Sequence, residues 1–142
     1  MTRPTVVSEA TDVTILVADR DPYVGERLRE SLSVLGYNAD VATDVADLEA
    51  KLGRRDYGII LLDEGMIADD DEAFHVRLAR RHPELGTILT SSLPTVNNVV
   101  SALRARAGDY LVKPFDLSEI TQAIDRSLRN RRTTDTPRKT SP

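Results

Sequence analysis

The chain contains no cysteine, which excludes a disulfide framework, a zinc–thiolate site and a thiol nucleophile. The absence also fits a reducing cytoplasm. Tryptophan is missing and aromatic residues make up only 4%, so stacking platforms for single-stranded nucleic acid are not expected. The longest apolar runs, such as Ile59 to Leu62, are far too short to span a bilayer. The N-terminus carries Arg3 and then Thr5, Ser8, Glu9 and Asp12, which is no secretory h-region. Neither a glycine-rich phosphate loop nor a GxxxxGK run is present, so a nucleotide-binding reading lacks its motif. A soluble, cytoplasmic protein without a membrane segment is the expectation.

What is there suits one domain. The 142 residues are 40% apolar and 30% charged, a globular mixture able to bury a core without staples. The net charge of −4 hides an asymmetry. Residues 1–125 carry 13 Lys/Arg against 22 Asp/Glu, whereas residues 126–142 carry six against Asp135 alone. An acidic body repels a phosphate backbone, so direct nucleic-acid binding by the folded part is not expected. Residues 1–12 read as a flexible N-terminus, 13–130 as the folded domain and 131–142 as a disordered tail or linker, with two prolines and no apolar residue from Thr133 onward.

Within the folded part, short apolar runs alternate with amphipathic stretches. Strands are expected at Val13–Ala18, Tyr37–Ala42, Gly58–Leu62, Thr87–Thr90 and Tyr110–Val112. Helices are expected from Pro22 to Leu35 (closed by Gly36), Val45 to Leu52 (ended by Gly53), Glu72 to Arg81, Val96 to Ala107 and Leu117 to Arg129. Gly58 to Leu62 is apolar throughout, as a central parallel strand covered on both faces should be. The pattern predicts an α/β, doubly wound, five-stranded parallel sheet in the order 2-1-3-4-5.

In such folds ligands sit beyond the carboxyl ends of the strands. The residues at those ends are Asp19, Arg20 and Asp21 after the first strand, Asp63 and Glu64 after the third, Ser91 and Ser92 after the fourth, and Lys113 after the fifth. Carboxylates, hydroxyls and an ammonium converging on one edge form the chemistry of phosphoryl transfer. A carboxylate attacks phosphorus, and cations and hydroxyls hold the oxygens.

The segments ILVADRDP, YGIILLDEGM, TILTSS and AGDYLVKPF, in this order and with 22 residues from Ser91 to Lys113, resemble the receiver domain of two-component response regulators. The resemblance covers roughly residues 13–130 and implies the flavodoxin-like (βα)5 fold. It implies Asp63 as the phosphoacceptor, Lys113 as the lysine that pairs with the acceptor and then the phosphoryl group, and a cis bond before Pro114. Ser91 resembles the switch hydroxyl, with Thr90 and Ser92 as rivals, and Tyr110 the aromatic switch. Magnesium would be held by Asp19, Asp63 and the Gly65 carbonyl. His75 and His82 match no site and read as solvated helix residues.

One position departs from the pattern. The family places two adjacent carboxylates after the first strand, and here the second is Arg20. Magnesium wants oxygen ligands, and a guanidinium offers no lone pair. Two arrangements are open: Arg20 turned to solvent, with Asp21 supplying an oxygen, or Arg20 paired with Asp63 in the cation's place. The family's proline four residues after the acceptor is Ile67, and Asp69 to Glu72 read as a solvated loop and helix start rather than a second metal site.

The resemblance implies a phosphorelay signalling domain rather than an enzyme, with self-phosphorylation and autodephosphorylation as its only turnover. Its implied partners are a sensor histidine kinase or phosphotransfer protein, and a downstream protein or an output domain beyond the chain end. The partner surface, and a possible homodimer, would use the fourth helix, fifth strand and fifth helix. Two other readings are a degenerate receiver serving as a phosphorylation-independent interaction module, and a haloacid-dehalogenase-like phosphatase using Asp19 and Asp21.

Overall fold

The strand Ile59–Asp63 (β3) lies at the centre of the fold and is buried along its whole length. Its alternate side chains serve two different cores, which is why the sequence shows no polar alternation there. Ile60 and Leu62 point to one face, with Leu16, Leu48, Phe74 and Leu89. Ile59 and Leu61 point to the other, with Ile15, Leu32, Ile88 and Ile124. Each fully buried side chain of this kind contributes about 1.5–3 kcal/mol.

The computed structural model describes residues 13–67, 72–92 and 109–140. Around β3 lie Thr14–Ala18 (β1), Asn38–Ala42 (β2), Gly86–Ser91 (β4) and Asp109–Val112 (β5), in the order β2-β1-β3-β4-β5. All four pairings are parallel. The order and the direction are those expected from the alternating pattern.

The described helices are Pro22–Val34 (α1), Val45–Arg54 (α2), Glu72–Arg81 (α3) and Leu117–Thr140 (α4), with a short 3-10 turn at Glu64–Met66. Leu48 of α2 and Phe74 of α3 belong to one core, and Leu32 of α1 and Ile124 of α4 to the other, so helices cover both faces. The helix expected at Val96–Ala107 lies outside the described residues, as do Asp69 to Asp71 and the side chain of His75. No helix among the described residues is long and apolar enough to cross a membrane.

Local chemistry sets the helix ends. Asp21 caps α1, accepting from the Tyr23 amide at 3.0 Å, and Pro22 takes the first helical position, where its missing N–H is no loss. Gly36, at φ 100°, closes that helix in the left-handed conformation that glycine adopts without strain. The start of α4 is a capping box: the Glu119 amide donates to Asp116 Oδ1 at 2.8 Å and the Asp116 amide to Glu119 Oε1 at 3.0 Å.

Two helices run further than the pattern suggested. Gly53 does not end α2, which continues to Arg54 and stops where Arg55 turns extended. Glycine lowers helix propensity without forbidding the conformation. The backbone of α4 continues to Thr140, over the stretch expected to be a disordered tail. A helix already nucleated by docking Ile120 and Ile124 extends past Arg129 through the good formers Arg131 and Arg132 without a second nucleation step, whereas the propensities of Thr133 to Pro137 give no reason for its last turns. His82 also differs, lying half-buried just past α3 rather than solvated on it.

Candidate functional site

Strand register brings the chemistry to one edge. Ala18 stands beside Leu62, Asp63 beside Thr90 and Ser91 beside Val112, so β1, β3, β4 and β5 finish together. Asp19 follows β1 directly and is 2% exposed, while Asp63 ends β3 at 4%. Two carboxylates this deeply buried need cations or amide donors.

Lys113 supplies the first cation. Its amide donates to the Ser91 carbonyl at 2.8 Å, which fixes the chain beyond β5 against the end of β4, and the following bond to Pro114 is cis. From there Nζ donates to Asp19 Oδ2 at 2.7 Å and to Asp63 Oδ1 at 3.4 Å. The other Asp19 oxygen accepts from the Asp21 amide at 2.9 Å, and Asp63 Oδ1 also accepts from the Gly65 amide at 3.3 Å. A single ammonium thus holds both carboxylates at the edge of the sheet.

Arg20 supplies the second. Its Nη1 donates to the Gly65 carbonyl at 3.1 Å, and its Nε lies 3.7 Å from Asp63 Oδ2. The guanidinium fills the space beside Gly65, where any Cβ would overlap it. The arrangement with Arg20 paired to Asp63 is therefore the one adopted. One oxygen of Asp21 is engaged in capping α1, accepting from the Tyr23 amide at 3.0 Å.

This geometry also tests magnesium. Divalent cations need several free oxygens. The Gly65 carbonyl and Asp63 Oδ2 face the guanidinium instead, and the Asp19 oxygens are held by Lys113 and the Asp21 amide. Among the described residues no group of three or more acidic or histidine side chains is placed to hold a metal ion. In this arrangement the residues present do not fit the cation expected from Asp19, Asp63 and Gly65.

Of the candidate hydroxyls, Thr90 and Ser91 are buried and Ser92 is exposed. Tyr110, half-buried on β5, donates its hydroxyl to Glu64 Oε1 at 3.1 Å. Burial pushes its phenol above the usual value; a Ser91 hydrogen bond opposes this, and the Glu64 charge adds to the rise. Sequence reasoning missed the Tyr110–Glu64 bond. Glu64 follows β3 and Tyr110 lies on β5, with β4 between them, so the sequence carries no local signal for the bond.

The chain matches the response regulator receiver domain over residues 15–125. It belongs to the receiver family of two-component response regulators. The receiver is 32% identical over 120 residues to the DNA-binding transcriptional regulator NtrC of Rhizobium meliloti, covering 83% of this chain and 24% of that one. It is 32% identical to the transcriptional regulatory protein PmrA of Pectobacterium parmentieri, covering 80% of this chain and 51% of PmrA. The chain thus spans a quarter to a half of these relatives. Among solved structures, a CheY-like receiver domain protein from Methanospirillum hungatei superposes with a TM-score of 0.78 at 20% identity, over 86% of this chain and 98% of that one. Family membership sets aside the phosphatase reading of Asp19 and Asp21.

Receivers are signalling domains in which phosphorylation on an aspartate is typical, and divalent cations are commonly bound at their acidic pocket. In this chain Arg20 occupies the position after Asp19 and faces Asp63 and the Gly65 carbonyl.

Proposed function

We propose that this receiver accepts a phosphoryl group on Asp63 from a sensor histidine kinase or phosphotransfer protein. One observation carries the reading: Lys113 Nζ bridges the buried Asp63 to Asp19 at the end of the sheet. A carboxylate so held has a fixed direction and a cation ready for the incoming phosphoryl oxygens. Asp19 orients Lys113, Ser91 is the hydroxyl that moves to the phosphoryl group, and Tyr110 follows it. The signal passes to a downstream protein or an output domain through the surface around β5 and α4, together with the helix expected over residues 96–107. That surface also serves a homodimer if one forms. The folded receiver is residues 13–130, with 1–12 and 131–142 as flanking segments, and it works in the cytoplasm.

Incubation with acetyl phosphate followed by intact-mass measurement tests this. The parent should gain the mass of one phosphoryl group and Asp63→Asn none, while both keep the same circular dichroism. An Asp63→Asn protein modified as fully as the parent overturns the assignment. A second reading, the phosphorylation-independent interaction module, is favoured by one observation: the guanidinium lying over Asp63. A parent left unmodified under all conditions would select it.

A further inference from the structure

The two buried carboxylates of the pocket face two cations of the chain itself. A receiver with two carboxylates after its first strand, an acceptor aspartate and a lysine carries a net formal charge of two negatives, which a divalent cation neutralises. Here Asp19 and Asp63 face Lys113 and Arg20, and the formal sum is zero. Two further carboxylates stand nearby and keep their own charge, Glu64 accepting from Tyr110 and Asp21 capping α1; among the described residues neither forms an ion pair with Lys113 or Arg20.

The guanidinium also stands where a metal would do its work. It stands 3.7 Å from one oxygen of the acceptor and donates to the backbone carbonyl two residues on. It reaches them from outside, its side chain being 68% exposed. Gly65 leaves the room it needs, since a Cβ there would meet three atoms of the guanidinium. An arginine in this position has further N–H donors left over, and a planar fork of donors suits a phosphoryl group better than it suits a single carboxylate oxygen.

We infer that Arg20 is a tethered replacement for the divalent cation, so that this receiver is phosphorylated without metal. In the transfer an Asp63 oxygen forms a bond to phosphorus as phosphorus parts from its donor. The donor atom is the imidazole nitrogen of a phosphohistidine or the acetate oxygen of acetyl phosphate, and it departs with the bonding pair. The charge on residue 63 goes from one negative to two. Lys113 and Arg20 meet the added charge from opposite sides, Lys113 from the β5 side and Arg20 from the β1 side. Because the cation is covalently part of the chain, the switch is insensitive to the concentration of free magnesium.

The phosphoryl part of this inference rests on Asp63 being the acceptor, whereas the metal part does not, and two measurements separate them. In the first, the metal-free parent, Arg20→Asp and Arg20→Gln are titrated with magnesium by calorimetry. The expected result is no saturable binding to the parent and binding at least about tenfold tighter to Arg20→Asp, where a carboxylate replaces a cation. Parent binding as tight as that of Arg20→Asp overturns the inference, whatever happens at Asp63. In the second, the same proteins are incubated with acetyl phosphate in EDTA or in magnesium and weighed. The parent should be modified equally in both, Arg20→Gln should lose most of its rate in EDTA, and Arg20→Asp should require magnesium. A parent modified only with magnesium overturns the inference and leaves Asp63 as the acceptor. A parent never modified overturns the Asp63 reading and the phosphoryl role of Arg20 with it. The glutamine variant removes the charge at an exposed position, so a loss seen there is not a folding defect.

Discussion

Two cations address Asp63 from opposite sides of the pocket, and they are built differently. Lys113 arrives from β5 with its side chain 20% exposed and makes a bond of 2.7 Å to Asp19. Its backbone is locked to β4. Arg20 arrives from β1 with its side chain 68% exposed and stands 3.7 Å from Asp63. A partly buried pair escapes screening, whereas an exposed pair loses most of its Coulomb energy to water and salt. The β5 side of the pocket is therefore structural as well as chemical. The exposed Arg20 contributes little to folding and is free to follow the charge on Asp63.

Lys113→Ala should break this comparison most severely. It leaves Asp19 and Asp63 buried with their shared ammonium gone, and uncompensated buried charge is strongly destabilising. Urea unfolding should show a loss of about 2–4 kcal/mol. A loss below about 0.5 kcal/mol would mean that water or Arg20 takes over the carboxylates.

Arg20→Ala should come next, at no more than about 1 kcal/mol, because the guanidinium is exposed and stands 3.7 Å from Asp63, which keeps its bond to Lys113. The difference from the parent should shrink further in high salt, while that of Lys113→Ala persists. A salt-independent loss equal to that of Lys113→Ala would erase the distinction between the two sides.

The smallest effect is alkaline. Burial raises the Tyr110 pKa above 10 in the folded state, so the folded protein holds that proton more tightly than the unfolded chain does. The resulting stability is complete below pH 10 and is lost as pH rises through the folded value. Tyr110→Phe should flatten this part of the pH–stability curve measured by thermal melting. An unchanged slope would assign the alkaline loss elsewhere. Tyr57 is the obvious alternative, as its pKa is raised to about 12 by burial and its hydrogen bond to Asp40.

The same contrast explains what was legible in the sequence. Strand positions follow from runs such as Ile59 to Leu62, because burial on both faces requires apolar residues throughout. The convergence of Asp19, Asp63, Ser91 and Lys113 follows from parallel strands ending together. Pro22 is readable as a helix start, but the cap that Asp21 provides to that helix was not read from it. The direction of Arg20 was not readable. A long exposed side chain is placed by its partners, here the Gly65 carbonyl and the space left by a missing Cβ, and neither shows in local pattern. The extent of α4 escaped for a similar reason. Docking of Ile120 and Ile124 against the sheet nucleates a helix whose later turns lack an apolar signature.

The most direct test locates the modified atom. The parent protein is treated with acetyl phosphate in EDTA, the acyl phosphate is reduced with borohydride, and its peptides are sequenced by mass spectrometry. Reduction at Asp63 alone, in full yield without metal, is the predicted result. Reduction at Asp19, or at Asp63 only after magnesium is restored, would contradict the account.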